Sequence, residues 1–141
     1  MVFEIYDEQK KLYEDSIRHY AEVLTAKEEL FALTQPAAID YSGEKVQASG
    51  NGNSIETYII KLQRSGIDKA LEEAENIAMM RKKNLERVRA ELEESNELID
   101  KVYKLKFLKC ETVPKIAMSL NYSEPQIYRI LRQIRKSIRN Q

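Results

Sequence analysis

Ten residues near the end of the sequence have side chains suited to holding a polyanion in a defined register. They are Lys115, Ser123, Glu124, Pro125, Gln126, Tyr128, Arg129, Arg132, Arg135 and Lys136. Glutamine and arginine can each make paired hydrogen bonds to base edges in a DNA major groove, so Gln126 and Arg129 are the candidates for reading sequence. Arg132, Arg135, Lys136 and Lys115 are placed for phosphates, which fix position without carrying sequence information. Glu124 is the one acid among the ten. It could accept from a cytosine amino group, or stabilise the start of a helix. Other chemistry is poorly supplied. With a single His and a single Cys, most zinc sites and the usual nucleophile–base sets are excluded. No catalytic residue, metal ligand or cofactor is therefore expected. His19, one turn after Asp15, reads as a solvated or locally paired histidine, and Cys110 as a bystander thiol.

The charge distribution supports a polyanion. Of 141 residues, 23 are basic and 23 acidic, a formal net charge of zero. Residues 101–141 nevertheless hold ten Lys and Arg against Glu111 and Glu124, a balance of +8. The first 100 residues, with 13 basic and 21 acidic side chains, carry the opposite charge. Such a split suggests that one end meets a nucleic acid while the other does something else.

The elements that must position these residues follow from the apolar spacing. Residues 112–131, TVPKIAMSLNYSEPQIYRIL, have a helix-turn-helix pattern. If Val113 is the first position, Ile116, Leu120, Tyr122, Ile127 and Ile130 fall at the five positions expected to be buried. Ala117 falls where the two helices approach closest and only a small side chain fits. Asn121 occupies the turn, where a left-handed backbone is required and asparagine tolerates it. Ser123-Glu124-Pro125-Gln126 reads as an N-cap followed by a capping-box glutamine, and Thr112 with Pro114 as the start of the preceding helix. Upstream, Leu98, Val102, Leu105 and Leu108 would form a third helix to close a small core.

With those residues in place, a resemblance emerges. The stretch YKLKFLKCETVPKIAMSLNYSEPQIYRILRQIRKSI is similar to the C-terminal region 4 of sigma-70-type factors. The detailed match covers about residues 95–138. At Lys109-Cys110 many region-4 sequences carry a Gly-containing turn instead. Nothing resembles the promoter-melting region of a true sigma factor. The whole layout resembles the small phage late-gene transcriptional regulators of the RinA/ArpU type, which likewise combine a helical N-terminal part, a Gly/Ser-rich loop, a long helix and a region-4-like end. The resemblance implies a regulator of phage or prophage late genes, an activator, with RNA polymerase as a further partner.

The first hundred residues read as helices around one loop. Residues 4–32 carry Tyr6, Tyr13 and Tyr20 at seven-residue intervals, and Ile17, Leu24 and Phe31 as a second such series. Residues 34–53 hold three of the four glycines and show no periodicity, so they read as a flexible loop. From Asn53, expected as an N-cap, a second helix should run to about residue 95. Its stripe is Ile67, Leu71, Ala74, Ala78, Leu85, Val88 and Leu92, with Arg81 intruding. Gly66 could interrupt that helix, with Asp68 capping a restart, but continuity is the expectation adopted.

The fold class expected is all-α, with a long helical hairpin or coiled coil preceding a C-terminal helix-turn-helix domain. The divisions are 1–33, 34–53, 54–95 and 96–141, with 54–95 serving oligomerisation. The first helix would span about 44 Å and the second about 60 Å, leaving part of the longer stripe bare for a homodimer. Whether the helices pair within or between chains is left open by the spacing. No run approaches the ~18 apolar residues of a membrane span, and MVFEIYDEQKK lacks the features of a signal peptide. The expected location is the cytoplasm of a bacterial host, and the expected partner is double-stranded DNA. Sequence-specific regulation of transcription is the first expectation. A DNA-packaging or structural adaptor that assembles through its coiled coil is the alternative, and a purely protein-binding scaffold a weaker third.

Overall fold

The structure, a computed structural model, describes residues 1–34 and 54–141. The loop expected at 34–53 lies outside the described residues, apart from Thr34, and so does the Asn53 cap. The described residues are helical throughout: α1 (Val2–Thr34), α2 (Ser54–Ser65), α3 (Ile67–Glu94), α4 (Leu98–Tyr103), α5 (Val113–Leu120) and α6 (Glu124–Arg139). A π-helical turn over Lys104–Leu108 continues α4. The all-α class is as expected. Among the described residues no helix is long and apolar enough to cross a membrane.

The continuous helix expected over 54–95 is interrupted at Gly66, which stands at a φ of 66° between α2 and α3. A residue with a side chain pays a steric penalty in that left-handed region, whereas glycine enters it readily. The Ser65 hydroxyl helps close the break by donating to the Leu62 carbonyl at 2.9 Å. Glycine therefore marks the end of a helix here instead of being absorbed into its interior.

The chain forms two compact units, one of Met1–Asp15 with Met79–Gln141 and one of Ser16–Ala78. The boundary expected near residue 95 is thus not where the fold divides. The start of α1 and the last turns of α3 build one core with everything that follows.

That core contains Phe3 and Tyr6 from α1, Val88 and Leu92 from α3, and Val102 and Tyr103 from α4. Val113, Ile116 and Ala117 of α5 and Ile127, Leu131 and Ile134 of α6 complete it. The end of the α3 stripe, expected to be bare for a second copy, is covered within its own chain. Val88 and Leu92 are buried and Leu85 packs beside them, so this part of the stripe is not bare. Charged substitutions at Leu85 and Leu92 should therefore destabilise the unit.

The centre of the unit is Asp100, whose side chain is fully buried. The first amides of a helix have no carbonyl partner within it, and Met1 has no side-chain acceptor to offer those of α1. Asp100, 97 residues downstream, supplies one: its Oδ1 accepts from the Phe3 amide at 2.9 Å and its Oδ2 lies 3.4 Å from the Val2 amide. The Ser95 hydroxyl donates to Oδ2 at 2.6 Å. A carboxylate at a helix N-terminus is also favoured by the helix dipole. Around this cap Phe3 stacks on Tyr103 with centroids 5.4 Å apart, Tyr6 meets the same ring edge-on at 6.1 Å, and Phe107 stacks on it at 4.9 Å. At the other end of α6, Ser137 Oγ donates to the Glu4 carboxylate, and Gln141 Nε2 to the Glu4 carbonyl at 3.3 Å.

Among the described residues two besides glycine take left-handed backbone, and both end helices. Asn121 does so at φ 59°, and the Tyr122 amide returns to the Ala117 carbonyl at 3.0 Å, which is a Schellman closure of α5. Cys110, at φ 52°, closes the π turn as the Glu111 amide returns to Leu105 at 2.9 Å.

The Ser16–Ala78 unit is built differently. Among its described residues only Ser16, Ala74 and Ala78 are buried. Phe31 meets Tyr58 edge-on at 5.1 Å, and Lys27 pairs with Asp68 at 2.8 Å. That hydrogen bond raises the Lys27 pKa above its ordinary value. Ile17, Phe31, Ile55, Ile59, Ile60 and Ile77 all remain exposed.

Two outcomes are expected from this packing. Asp100→Ala leaves the Phe3 amide buried without an acceptor and should cost about 1–3 kcal/mol in urea unfolding. The second concerns Tyr103. Burial, and then the nearby Asp7 and Tyr6, push its hydroxyl far above the ordinary phenol range. The unfolded chain ionises it near pH ~10 while the folded chain does not. The stability it contributes is complete below that pH and is lost as pH climbs above it. The urea midpoint should therefore fall between pH ~10 and ~12, and fall less steeply in Tyr103→Phe.

Candidate nucleic-acid interface

The position of each candidate side chain is set by how α5 and α6 are wedged into the core. On α6 the buried residues are Ile127, Leu131 and Ile134, with Ile130 and Ile138 half-buried. On a helix of 3.6 residues per turn this fixes the exposed strip. Glu124, Tyr128 and Arg135 run along one edge and Pro125, Arg129, Arg132 and Lys136 down the middle. Gln126 and Gln133 lie on the opposite edge. All of these side chains are exposed, as are Lys115 and Ser123. Nine of the ten candidates thus come together on α6 and its cap.

Of the five positions expected to be buried, Ile116 and Ile127 are fully so, and Leu120 and Ile130 partly. Tyr122 is not: it is 42% exposed. The Schellman turn at Asn121 carries it to the rim, while the core runs along α6 to Leu131 and Ile134, toward the end that Glu4 holds. Ala117 is buried within the core cluster, as its place required.

Gln126 has less to offer DNA than its type suggests. Its Oε1 accepts from both the backbone amide and the hydroxyl of Ser123, each at 3.0 Å. This is the capping-box arrangement, and it fixes where α6 begins. Paired recognition of adenine needs the amide oxygen as well as the nitrogen. With the oxygen engaged, Gln126 holds the start of the helix, and Arg129 is the exposed side chain of the two with its hydrogen-bonding groups uncommitted to the cap.

Lys115 also differs from its expected role. Its ammonium lies 3.6 Å from Glu111 Oε1, one helical turn away, so it is partly neutralised before any phosphate arrives. The strongest positive field lies further on. Arg132, Arg135, Lys136 and Arg139, with Asn140, line a shallow open hollow at the end of α6. Arg139 was not singled out from the sequence, though its spacing of seven from Arg132 and four from Arg135 puts it on the same strip. Met118, 81% exposed on α5, was also passed over, since nothing in the helical spacing separates it from filler.

Chemically the surface offers one long strip of fixed cations beside a half-exposed aromatic ring and a single carboxylate. Searches for related proteins add no neighbour: no family model, no curated protein and no solved structure matches this chain.

Gln126→Ala should lower the unfolding free energy by about 1 kcal/mol, the worth of a cap hydrogen bond, while Gln126→Glu, which keeps the acceptor, should not. Paired urea titrations of the two variants make the comparison.

Proposed function

We propose that this chain is a sequence-specific DNA-binding regulator of transcription that presents α6 to the major groove. The observation that carries the reading is the exposed face of α6, where Arg129, Arg132, Arg135, Lys136 and Arg139 stand together with Glu124 as the one acid. A rigid helix is the element whose width suits the major groove. The α5–Asn121–α6 arrangement supports a helix-turn-helix in which the start of the second helix meets base edges and later cations meet phosphates. The resemblance to sigma-70 region 4 and to phage late-gene regulators of the RinA/ArpU type supports activation of phage or prophage late genes in the host cytoplasm. RNA polymerase is the further partner that resemblance brings.

Self-association is part of the same reading, but with a different surface. The exposed Ile55, Ile59 and Ile60 of α2, with Phe31 and Ile77, favour a homodimer formed through the Ser16–Ala78 unit. Two copies would place two reading helices on one duplex. The same side chains also favour the second reading, a packaging or structural adaptor in which many copies hold DNA loosely. Sedimentation discriminates between them, a dimer supporting the regulator and a large ring the adaptor.

Arg129→Ala should cost about 1–3 kcal/mol on the preferred duplex and relax discrimination at one base pair. Arg132→Ala or Lys136→Ala should instead weaken binding to all duplexes alike and lower the slope of log affinity against log salt by about one. Anisotropy titrations against selected and scrambled duplexes at several salt concentrations measure both. Unchanged preference in Arg129→Ala would place the reading surface elsewhere.

A further inference from the structure

Tyr128 is half exposed, at 50%, on a helix whose aliphatic residues Ile127, Ile130, Leu131, Ile134 and Ile138 are all buried or half-buried. It lies one turn after Glu124 and one turn before Arg132, along one edge of the exposed strip. Such a ring is an apolar surface set among charges, with nothing of its own kind along the strip. Base edges in the major groove present a single apolar group, the C5 methyl of thymine. We infer that Tyr128 packs its ring against a thymine methyl and that the preferred duplex carries a thymine beside the guanine paired by Arg129. This rests on the DNA-reading surface proposed above.

The geometry limits where that thymine lies. Residues 128 and 129 differ by one helical rise of about 1.5 Å, less than one base-pair step of about 3.4 Å. So close a rise along the helix suits adjoining steps, the thymine next to the guanine and not in the same pair. Gln126, on the opposite edge with its oxygen engaged in the cap, does not compete for them. A tyrosine hydroxyl could instead meet a phosphate, which would carry no base information. The two uses depend on different atoms, the ring carbons in one and the oxygen in the other.

The test uses the full chain and duplexes that it selects from a random pool, with each thymine of the selected site replaced in turn by deoxyuridine. This removes the methyl and leaves every hydrogen-bonding group. One position next to the guanine should lose affinity about fourfold, the worth of burying one methyl. Tyr128→Phe should retain both the affinity and the preference for thymine over uracil. Tyr128→Ala, with its helical circular dichroism unchanged, should bind the two alike. Uracil tolerated at every position would overturn the inference, as would a Tyr128→Phe variant that weakens on all duplexes equally. Selection that enriches no sequence, with DNA still bound, would overturn it while leaving DNA binding intact. A chain that binds no duplex at all would remove the reading on which it rests.

Discussion

The buried carboxylate of Asp100 is the constraint around which the larger unit is organised. A polar group taken out of water must be hydrogen-bonded by its surroundings or destabilise the fold. Here the partners are the first amides of α1 and the hydroxyl of Ser95. Both needs are met at once, because those amides also lack partners within their own helix. Docking α1 at this point brings Phe3 and Tyr6 onto Tyr103. It also brings Glu4 within reach of Ser137, so the far end of α6 is held from outside its own turn. Helix α6 is therefore braced at three places, by its capping box, by its apolar face and by α1. A strip of cations is useful for recognition only when its backbone is held still.

Electrostatics and packing divide the work on α6 by position along the helix. The first turn carries geometry, with Ser123 and Gln126 fixing the start and Glu124 suited to the positive end of the dipole. The middle carries Tyr128 and Arg129. The last turns carry the bulk of the positive charge, where it also complements the negative end of the helix dipole. Cations placed there favour the helix in the absence of any ligand, so the cationic end is compatible with the fold's own stability.

What could be read from the sequence was whatever depends on neighbours within about a turn or two. The α3 stripe, the helix start at Ser123, the left-handed Asn121 and the buried Ala117 are of that kind. Each follows from spacing or from the conformational habits of one residue. Asp100 was invisible because its partners lie 97 and 98 residues away, and an aspartate in an amphipathic helix ordinarily faces water. The same missing docking made the Val88–Leu92 stripe look free for a second chain. Gln126 failed for a different reason: glutamine suits both capping and base reading, and only geometry shows which atom is engaged. Gly66 was legible as a possible break, but the apolar stripe running past it favoured continuity, and spacing alone does not show that its φ would be positive.

The meeting of Glu4 with Ser137 and Gln141 has a kinetic consequence. Its core joins segments about a hundred residues apart, so most of the chain-closure entropy must be lost before the decisive contacts form. On the ribosome, α1 emerges before α4, α5 and α6, and Phe3 and Tyr6 stay uncovered until residues beyond Asp100 have been made. At about 5–20 residues per second, that interval lasts several seconds to tens of seconds. During it the N-terminal helix is an exposed amphipathic segment of the kind that chaperones bind. The competence of the cationic helix is thus decided late, when the first and last turns of the unit find each other.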